Sequence, residues 1–411
     1  MSKIKNVIVV YDFAIINGGA AKVAIQSAIA LKKRGLNVVY FSATSPIDKE
    51  MVSAGIEVIS LDSTDINTEK NRLKAIKMGI YNSKSKKIFK KFLEKFNKDD
   101  TIIHLHGWSR ALSVSIINAA QKNKFKCVIT LHDYFSVCPN GGFYNYKKNK
   151  ICKCVPMSAT CVCTNCDKRN YLQKLWRISR QVIQDLWVKN NKNMNYIYIS
   201  ELNKKVVKEN VKSNAFYYVP NIVELSEKKL QKITQEKVFL YVGRVSIEKG
   251  VDLFCNAINE LKDEQVRGIV VGTGPVYETL RKKYDNVQFV GWRNSEWIQE
   301  YYKKARALVF PSRWYEGAPL TIVEAMSANL PCIVSDCTSA KELIVNGENG
   351  FVFETGNLDS LVKNMRMALN QEKIEEIRTN IEEKFNISAY KMESHVSNLI
   401  CVYDKILSET R

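Results

Sequence analysis

Short, unbroken apolar runs separated by longer amphipathic stretches recur along most of this chain. Lys3–Tyr11, with Val7 to Val10 at its centre, is the first; Asn37–Phe41, Ile102–His106 and Cys127–Leu131 follow. A second set comprises Lys237–Gly243, Gly268–Val271, Val287–Val290, Ala307–Phe310, Pro331–Ser335 and Gly350–Phe353. Runs this short and this apolar on both faces predict buried parallel strands. Between the first two lies a helical pattern from Gly18-Gly19 through Lys33, with Val23, Ile29 and Ala30 among its packing residues and Gly35 ending it. That is a βαβ opening, so the fold class is α/β with two doubly wound halves and no internal sequence repeat.

The stretch with the most chemistry is ALVFPSRWYEGAPLTIVEAMSAN, residues 307–329. Pro311-Ser312 ends the strand, a loop follows, and Pro319 suits the first helical position because its missing N–H would have been unpaired there. Leu320, Val323 and Met326 recur at helical spacing, so Thr321 to Ser327 form the first turns. The amides of Ala318, Leu320 and Thr321 then make an anion site at a helix N-terminus, flanked by Glu316 in the loop and Glu324 in the second turn. Carboxylates repel phosphate, which turns these two toward sugar hydroxyls and a ribose diol. Arg244 and Lys249, in GRVSIEKG after a strand, supply two positive charges for a departing diphosphate. Gly272 and Gly274 form a further strand-end loop open to close approach.

EGAPLTIVEAM closely resembles the donor signature of retaining nucleotide-sugar glycosyltransferases, the GT4-like (group 1) family with the GT-B fold. YVGRVSIEKG at 241–250, VGTGP at 271–275, GGAAKVA at 18–24 and VPN at 219–221 agree with it in the right order, so the resemblance spans most of the chain. It implies two Rossmann-like domains facing across a cleft: residues 1–220 on the acceptor side and residues 221–386 binding the donor. The final helix, within 387–411, would cross back to the first domain. By the same resemblance Gly18 and Gly19 lie over the donor phosphates, and His132 in TLHDY reaches the transferred sugar. Glu324 holds the ribose, Glu316 the sugar hydroxyls, and Gly317, Ala318, Pro319, Leu320 and Thr321 complete the sugar and phosphate contacts. The implied reaction retains the anomeric configuration, through a covalent glycosyl-enzyme or by same-face attack. With no D-x-D present, no metal cofactor is expected for catalysis. Acceptors of the polysaccharide-biosynthesis type are lipid-linked or growing glycans; a soluble acceptor, or a non-catalytic nucleotide-sugar-binding scaffold, is the alternative.

Charge refines the picture of the partner. The net charge of +20 is one-sided: residues 1–220 hold 37 Lys+Arg against 15 Asp+Glu, and residues 221–411 hold 25 against 27. Such a field suits an anionic membrane surface, and no basic-aromatic recognition motif points to nucleic acid. Residues 84–98 have Ile88, Phe89, Phe92, Leu93 and Phe96 at helical spacing opposite lysines, a pattern that fits either the headgroup layer or a helix packed on a sheet. A helix over Tyr171–Lys189 sets Trp176, Ile183 and Trp187 among basic residues, which suits a membrane interface or ordinary packing. No apolar stretch approaches the roughly 18 residues of a membrane span, and the N-terminus lacks a cleavage site, so the expected place is the cytoplasm, peripheral at the inner face of the cell membrane.

Six of the eleven cysteines fall within 138–166. In a reducing compartment that density favours a structural zinc over disulfides, with Cys138, Cys152, Cys161 and Cys166 the preferred quartet and Cys154 and Cys163 as substitutes; free thiols and redox-linked cysteines remain the other readings. His104 and His106 alternate on a strand, so one of them is expected to face the site, His106 more than His104.

Overall fold

The computed structural model describes residues 3–223 and 236–409. The Glu/Lys-rich linker expected before Glu236 falls almost wholly outside the described residues. The chain divides into two compact units, Met1–Phe143 with Lys153–Ile222 and Ala389–Arg411, and Tyr144–Cys152 with Val223–Ser388. The sequence reading placed the whole cysteine-rich insertion with the first domain. Its tip instead groups with the second unit, where Tyr144 is buried and its ring meets that of Trp314 edge-on at 6.5 Å.

The strands, in chain order, are β1 (Asn6–Val10), β2 (Asn37–Ser42), β3 (Glu57–Ser60), β4 (Thr101–Leu105), β5 (Lys126–Thr130), the antiparallel hairpin β6 (Tyr144–Asn145) and β7 (Lys150–Ile151), β8 (Asn195–Tyr198) and β9 (Ala215–Tyr218). Those of the first unit form one parallel sheet, β3-β2-β1-β4-β5-β8-β9. Strand order reverses between β1 and β4, and in such sheets ligands bind at the strand C-termini beside that reversal. The last helix, Met392–Ser408, belongs to this unit, burying Val396, Leu399, Tyr403 and Ile406 in the same core as Ile4, Val7 and Ile25. Asp404 fastens it by accepting from the amides of Lys3 and Ile4 at 2.7 and 2.9 Å.

In the second unit β10 (Val238–Val242), β11 (Arg267–Val271), β12 (Val287–Gly291), β13 (Ala307–Phe310), β14 (Cys332–Ser335) and β15 (Gly350–Phe353) run parallel in the order β12-β11-β10-β13-β14-β15. The reversal falls between β10 and β13, so the loops after these two strands meet there. Phe239, Phe254, Phe351 and Phe353 are buried beneath them.

The lysine-rich pattern at 84–98 resolves in favour of packing. Its helix, Ser83–Leu93, buries Phe89, Phe92 and Leu93, with the Phe89 and Phe92 rings 4.6 and 5.8 Å from Phe41. With its aromatic face spent on the sheet, this helix has none left to enter lipid. Aliphatic exposure is found elsewhere in the same unit.

Candidate active site

The helix of the motif runs Leu320–Ser327, and Pro319 is its N-cap rather than its first residue, with ψ at 107° keeping it out of the helical region. The loop from Pro311 to Ala318 therefore brings Glu316 to the reversal between β10 and β13. There Glu316 Oε1 collects three donors: Lys249 Nζ at 2.5 Å, Trp314 Nε1 at 2.5 Å and Ser312 Oγ at 2.9 Å. Oε2 takes no part in these bonds. Its carboxylate and the Lys249 ammonium are both largely shielded, at 13% and 23% exposure, so their attraction is screened less than that of a surface pair. Lys249 Nζ also sits 5.2 Å from the centre of the Trp314 ring. The sequence reading gave Glu316 to the sugar and Lys249 to the diphosphate as separate tasks; the two are one ion pair. Ser312 and Trp314 were not singled out beforehand, although both lie in the loop that was.

Backbone proximity explains the glycines of the neighbouring loops. Gly250 closes the turn after Lys249 at φ +71°, and a Cβ there would lie 1.9 Å from Pro311 O at the start of the Glu316 loop. A Cβ on Gly272, at φ +127°, would lie 2.0 Å from Gly243 O, and one on Gly274 would lie 2.2 Å from Val245 O. These residues let the loops after β10, β11 and β13 nest. Arg244 is exposed on the first of them. Arg313 makes a two-pronged bond to Asp252, at 3.0 and 2.9 Å, anchoring the loop from its other side. On the helix, Glu324 Oε2 accepts from Tyr302 Oη at 3.3 Å.

Gly18 differs from these. Its φ of 161° is ordinary extended backbone, and nothing stands within 4 Å of a Cβ built on it. Gly250→Ala should therefore destabilise the second unit by more than about 1 kcal/mol in urea unfolding, since a side chain in the left-handed region alone costs that much and the Pro311 carbonyl adds a clash. Gly18→Ala should leave the unfolding midpoint unchanged.

In the first unit the strand ends carry a chain of imidazoles. His106 Nδ1 and His132 Nε2 are 2.8 Å apart, with the rings stacked at 5.1 Å. His104 is enclosed, its two nitrogens each 2.6 Å from Tyr403 Oη and Thr130 Oγ1. The rings of His104 and His106 are 4.0 Å apart, because residues two apart share a strand face; alternation does not separate them, and what sets His104 apart is its enclosure by Tyr403 and Thr130. Burial holds His132 down to about 3, and pushes both His104 and His106 well below the ordinary imidazole range. Asp12, missed by the sequence reading, is buried and accepts from the amides of Arg110, Ala111 and Leu112 at 2.8 to 2.9 Å, fixing the loop after β4. Only its place just after β1 could have signalled it.

The expected zinc quartet is not assembled. Cys152 belongs to the second unit and Cys138, Cys161 and Cys166 to the first. Among the described residues no three His, Cys, Asp or Glu side chains are placed to share a metal. The buried Lys174 Nζ instead lies 3.2 Å from Cys166 Sγ and 3.6 Å from Cys161 Sγ, and an ammonium in that position opposes a cation.

Two doubly wound parallel sheets, one with a basic-acidic pair beside a helix N-terminus at its switch point, define a GT-B glycosyltransferase fold. A solved structure agrees: HepE of Anabaena, in complex with UDP and glucose, matches with a TM-score of 0.69 at 15% identity, covering 98% of this chain and all of that one. Residues 223–387 match the family model of glycosyl transferases group 1. The chain is 31% identical over 208 residues to the UDP-Gal:alpha-D-GlcNAc-diphosphoundecaprenol alpha-1,3-galactosyltransferase of Escherichia coli, covering 46% of this chain and 52% of the relative. It is 32% identical over 147 residues to the lipopolysaccharide 1,6-galactosyltransferase of Salmonella typhimurium LT2, covering 33% of this chain and 40% of the relative. The match thus spans about half the length of these relatives, or less.

Proposed function

We propose that this protein transfers a hexosyl unit from a UDP- or GDP-sugar, with retention and without a catalytic metal, to a lipid-linked saccharide of a growing polysaccharide. The observation that carries this reading is the Lys249–Glu316 pair at the switch point, beside the N-terminus of Leu320–Ser327. The names of the two galactosyltransferases above support a lipid-linked acceptor and make UDP-galactose the first donor to test.

Charge develops on the departing diphosphate, and the chain offers three sources of stabilisation for it. Lys249 and the exposed Arg244 are cations, and the first amides of the helix, with those of Gly317 and Ala318, are fixed dipoles needing no reorganisation. Lys249 holds Glu316 in place while its remaining N–H groups serve phosphate. Glu316 Oε2 accepts from a hydroxyl of the transferred sugar, and Glu324 accepts from the ribose diol. Gly18 and Gly19 admit phosphate against bare backbone, which fits the empty space beside Gly18. His132, kept neutral by burial, contributes a hydrogen bond to the sugar from a ring oriented by His106. Attack on the same face as the departing diphosphate needs no protein nucleophile: the leaving phosphate oxygen takes the acceptor's proton.

A thermal-shift screen of nucleotide sugars tests the donor half. A donor at 100 times its dissociation constant should stabilise the fold by about 2.7 kcal/mol. Transfer to a polyprenyl-diphosphate saccharide should then proceed in EDTA. Strict dependence on added magnesium or manganese, or no shift with any UDP- or GDP-sugar, overturns the reading.

A further inference from the structure

The helix Tyr171–Asp185 is built inside out. Its inward side is polar: Lys174, Arg180, Gln181, Gln184 and Asp185 are buried. Their partners are internal. Gln184 accepts from Trp108 Nε1 at 3.0 Å, Arg180 donates to the carbonyls of Ser109 and Pro139 at 3.3 and 3.2 Å, and Gln181 donates to Asp185 at 2.6 Å. The outward side is aliphatic. Leu172, Leu175 and Val182, with Leu186 just past the helix end, are 77, 37, 50 and 62% exposed, and their spacing of three, seven and four residues places them on one face. Trp176 joins this stripe to the neighbouring helix Arg72–Ile80 by donating from Nε1 to Ile76 O at 3.2 Å, its ring filling the space left by Gly79. That second helix adds Leu73 and Ile76, 72 and 45% exposed.

Six exposed aliphatic side chains on two packed helices exceed the scattered apolar exposure of an ordinary surface. Their surroundings are basic. Leu73 is also on the wall of a cavity of about 630 Å³ lined by Lys74, Lys77 and Lys84 with Ser83, Ser85 and Asn71, against one carboxylate, Asp62; Lys74 Nζ is paired with Glu69 at 2.6 Å, which leaves Lys77 and Lys84 as the cations the lining adds. Arg72, Lys168 and Arg169 are exposed close by in the chain. Aliphatic tips bordered by a cation-lined hollow match an acyl layer beneath anionic headgroups. A second copy of the chain would set the same cations against each other, a repulsion that disfavours self-association.

The geometry points to this face as the docking site for an anionic phospholipid leaflet, with the leucines of both helices entering the acyl boundary and the lysine-lined cavity receiving headgroup phosphate. The inference deepens the reading of a lipid-linked acceptor and rests on it for its purpose, though the surface itself is tested without donor or acceptor. It moves the lipid contact from the lysine-rich helix Ser83–Leu93, whose aromatic residues are buried, to Arg72–Ile80 and Tyr171–Asp185.

Flotation of the full chain with phosphatidylglycerol–phosphatidylcholine vesicles, against phosphatidylcholine alone, is the measurement. The wild-type protein should float with the anionic vesicles only, and Leu73→Ser/Leu172→Ser/Leu186→Ser should lower the bound fraction about tenfold or more, since each exposed leucine forfeits a burial term on insertion. Sedimentation velocity and the UDP thermal shift, run on both proteins, should not change. Failure of the wild type to float, or equal flotation of the variant, overturns the proposal. So does a wild-type dimer that the variant dissolves, which would assign the face to a second copy. Flotation without transfer to a lipid-linked saccharide keeps the surface and removes the acceptor reading; transfer to a detergent-solubilised acceptor without flotation does the reverse.

Discussion

Glu316→Gln should bind the nucleotide portion of the donor about as tightly as the unaltered protein and transfer the sugar about 10²- to 10³-fold more slowly. The substitution keeps the side chain's volume and lets Oε1 go on accepting from Trp314 and Ser312, so the loop from Pro311 to Ala318 holds its course. What it removes is a negative charge 2.5 Å from the Lys249 ammonium. Two effects follow. The acceptor for the sugar hydroxyl weakens, and Lys249 is no longer held in one direction. A preorganised group facing charge that develops in the transition state is worth roughly 3–4 kcal/mol, which sets the range. Lys249→Met should lose a comparable factor and weaken donor binding as well, because in the proposed reading the ammonium faces the diphosphate before reaction. Since the two groups form one unit, the double variant should fall well short of the product of the single losses. The measurement is kcat and donor Kd for all four proteins. Turnover by Glu316→Gln within about threefold of the unaltered enzyme would remove Glu316 from the chemistry.

That pairing shows where sequence reading ends. Ala307–Phe310 and Gly350–Phe353 were legible as strands because each is a continuous apolar run bounded by Pro or Gly, and both have those limits in the structure. β3 and β9 were not: they are edge strands, half-buried and polar in part, so their pattern is diluted. β8 is buried, and Tyr196–Ile199 is an apolar run that could have announced it, though the sequence reading passed over it. For the lysine-rich helix and the helix Tyr171–Asp185 the sequence left two readings open, a membrane interface or ordinary packing. Amphipathicity shows that a helix has two faces, not which one is inside, and in Tyr171–Asp185 a set of internal polar contacts reverses the usual order. In the site, the residue types around 244–250 and 316–324 could be read from the chain, and so could their general chemistry. That Lys249 and Glu316 bond to each other depends on β10 and β13 being neighbours at the reversal of strand order, a property of topology. The glycines are similar: spacing marks Gly250, and only the fold shows that Pro311 O is the atom it must clear.

Acidification from pH 7 to pH 5 should cost this protein several kcal/mol of unfolding free energy. The chain has four histidines, and burial lowers the pKa of every one of them, His104 and His106 well below the usual range and His132 to about 3, with His395 shifted the same way. Their bonds agree with neutral rings. His395 Nδ1–H donates to Pro220 O at 2.7 Å while Nε2 accepts from Ser27 Oγ at 2.8 Å, and the His106–His132 contact needs one bare nitrogen. In the unfolded chain each imidazole takes a proton near pH 6.5. Between that value and its folded pKa each histidine therefore binds more protons unfolded than folded, and stability falls as pH drops. The contribution is fully present above 6.5 and declines by up to about 1.4 kcal/mol per pH unit for each ring below it. Asp12, Asp133 and Asp185 work in the opposite direction: burial raises all three carboxyls, Asp133 to about 6, so the folded chain takes up their protons first and recovers some stability in acid. Asp133 acts between about 6 and its ordinary value near 4, so it offsets part of one ring's loss within this range, and the other imidazoles keep the net slope downward. Urea unfolding at half-unit steps should show a declining midpoint below about pH 6.5 with an unchanged m-value. A midpoint that is flat or rising down to pH 5 would mean that these imidazoles are charged in the folded protein, and His132 could not then serve the sugar as a neutral donor.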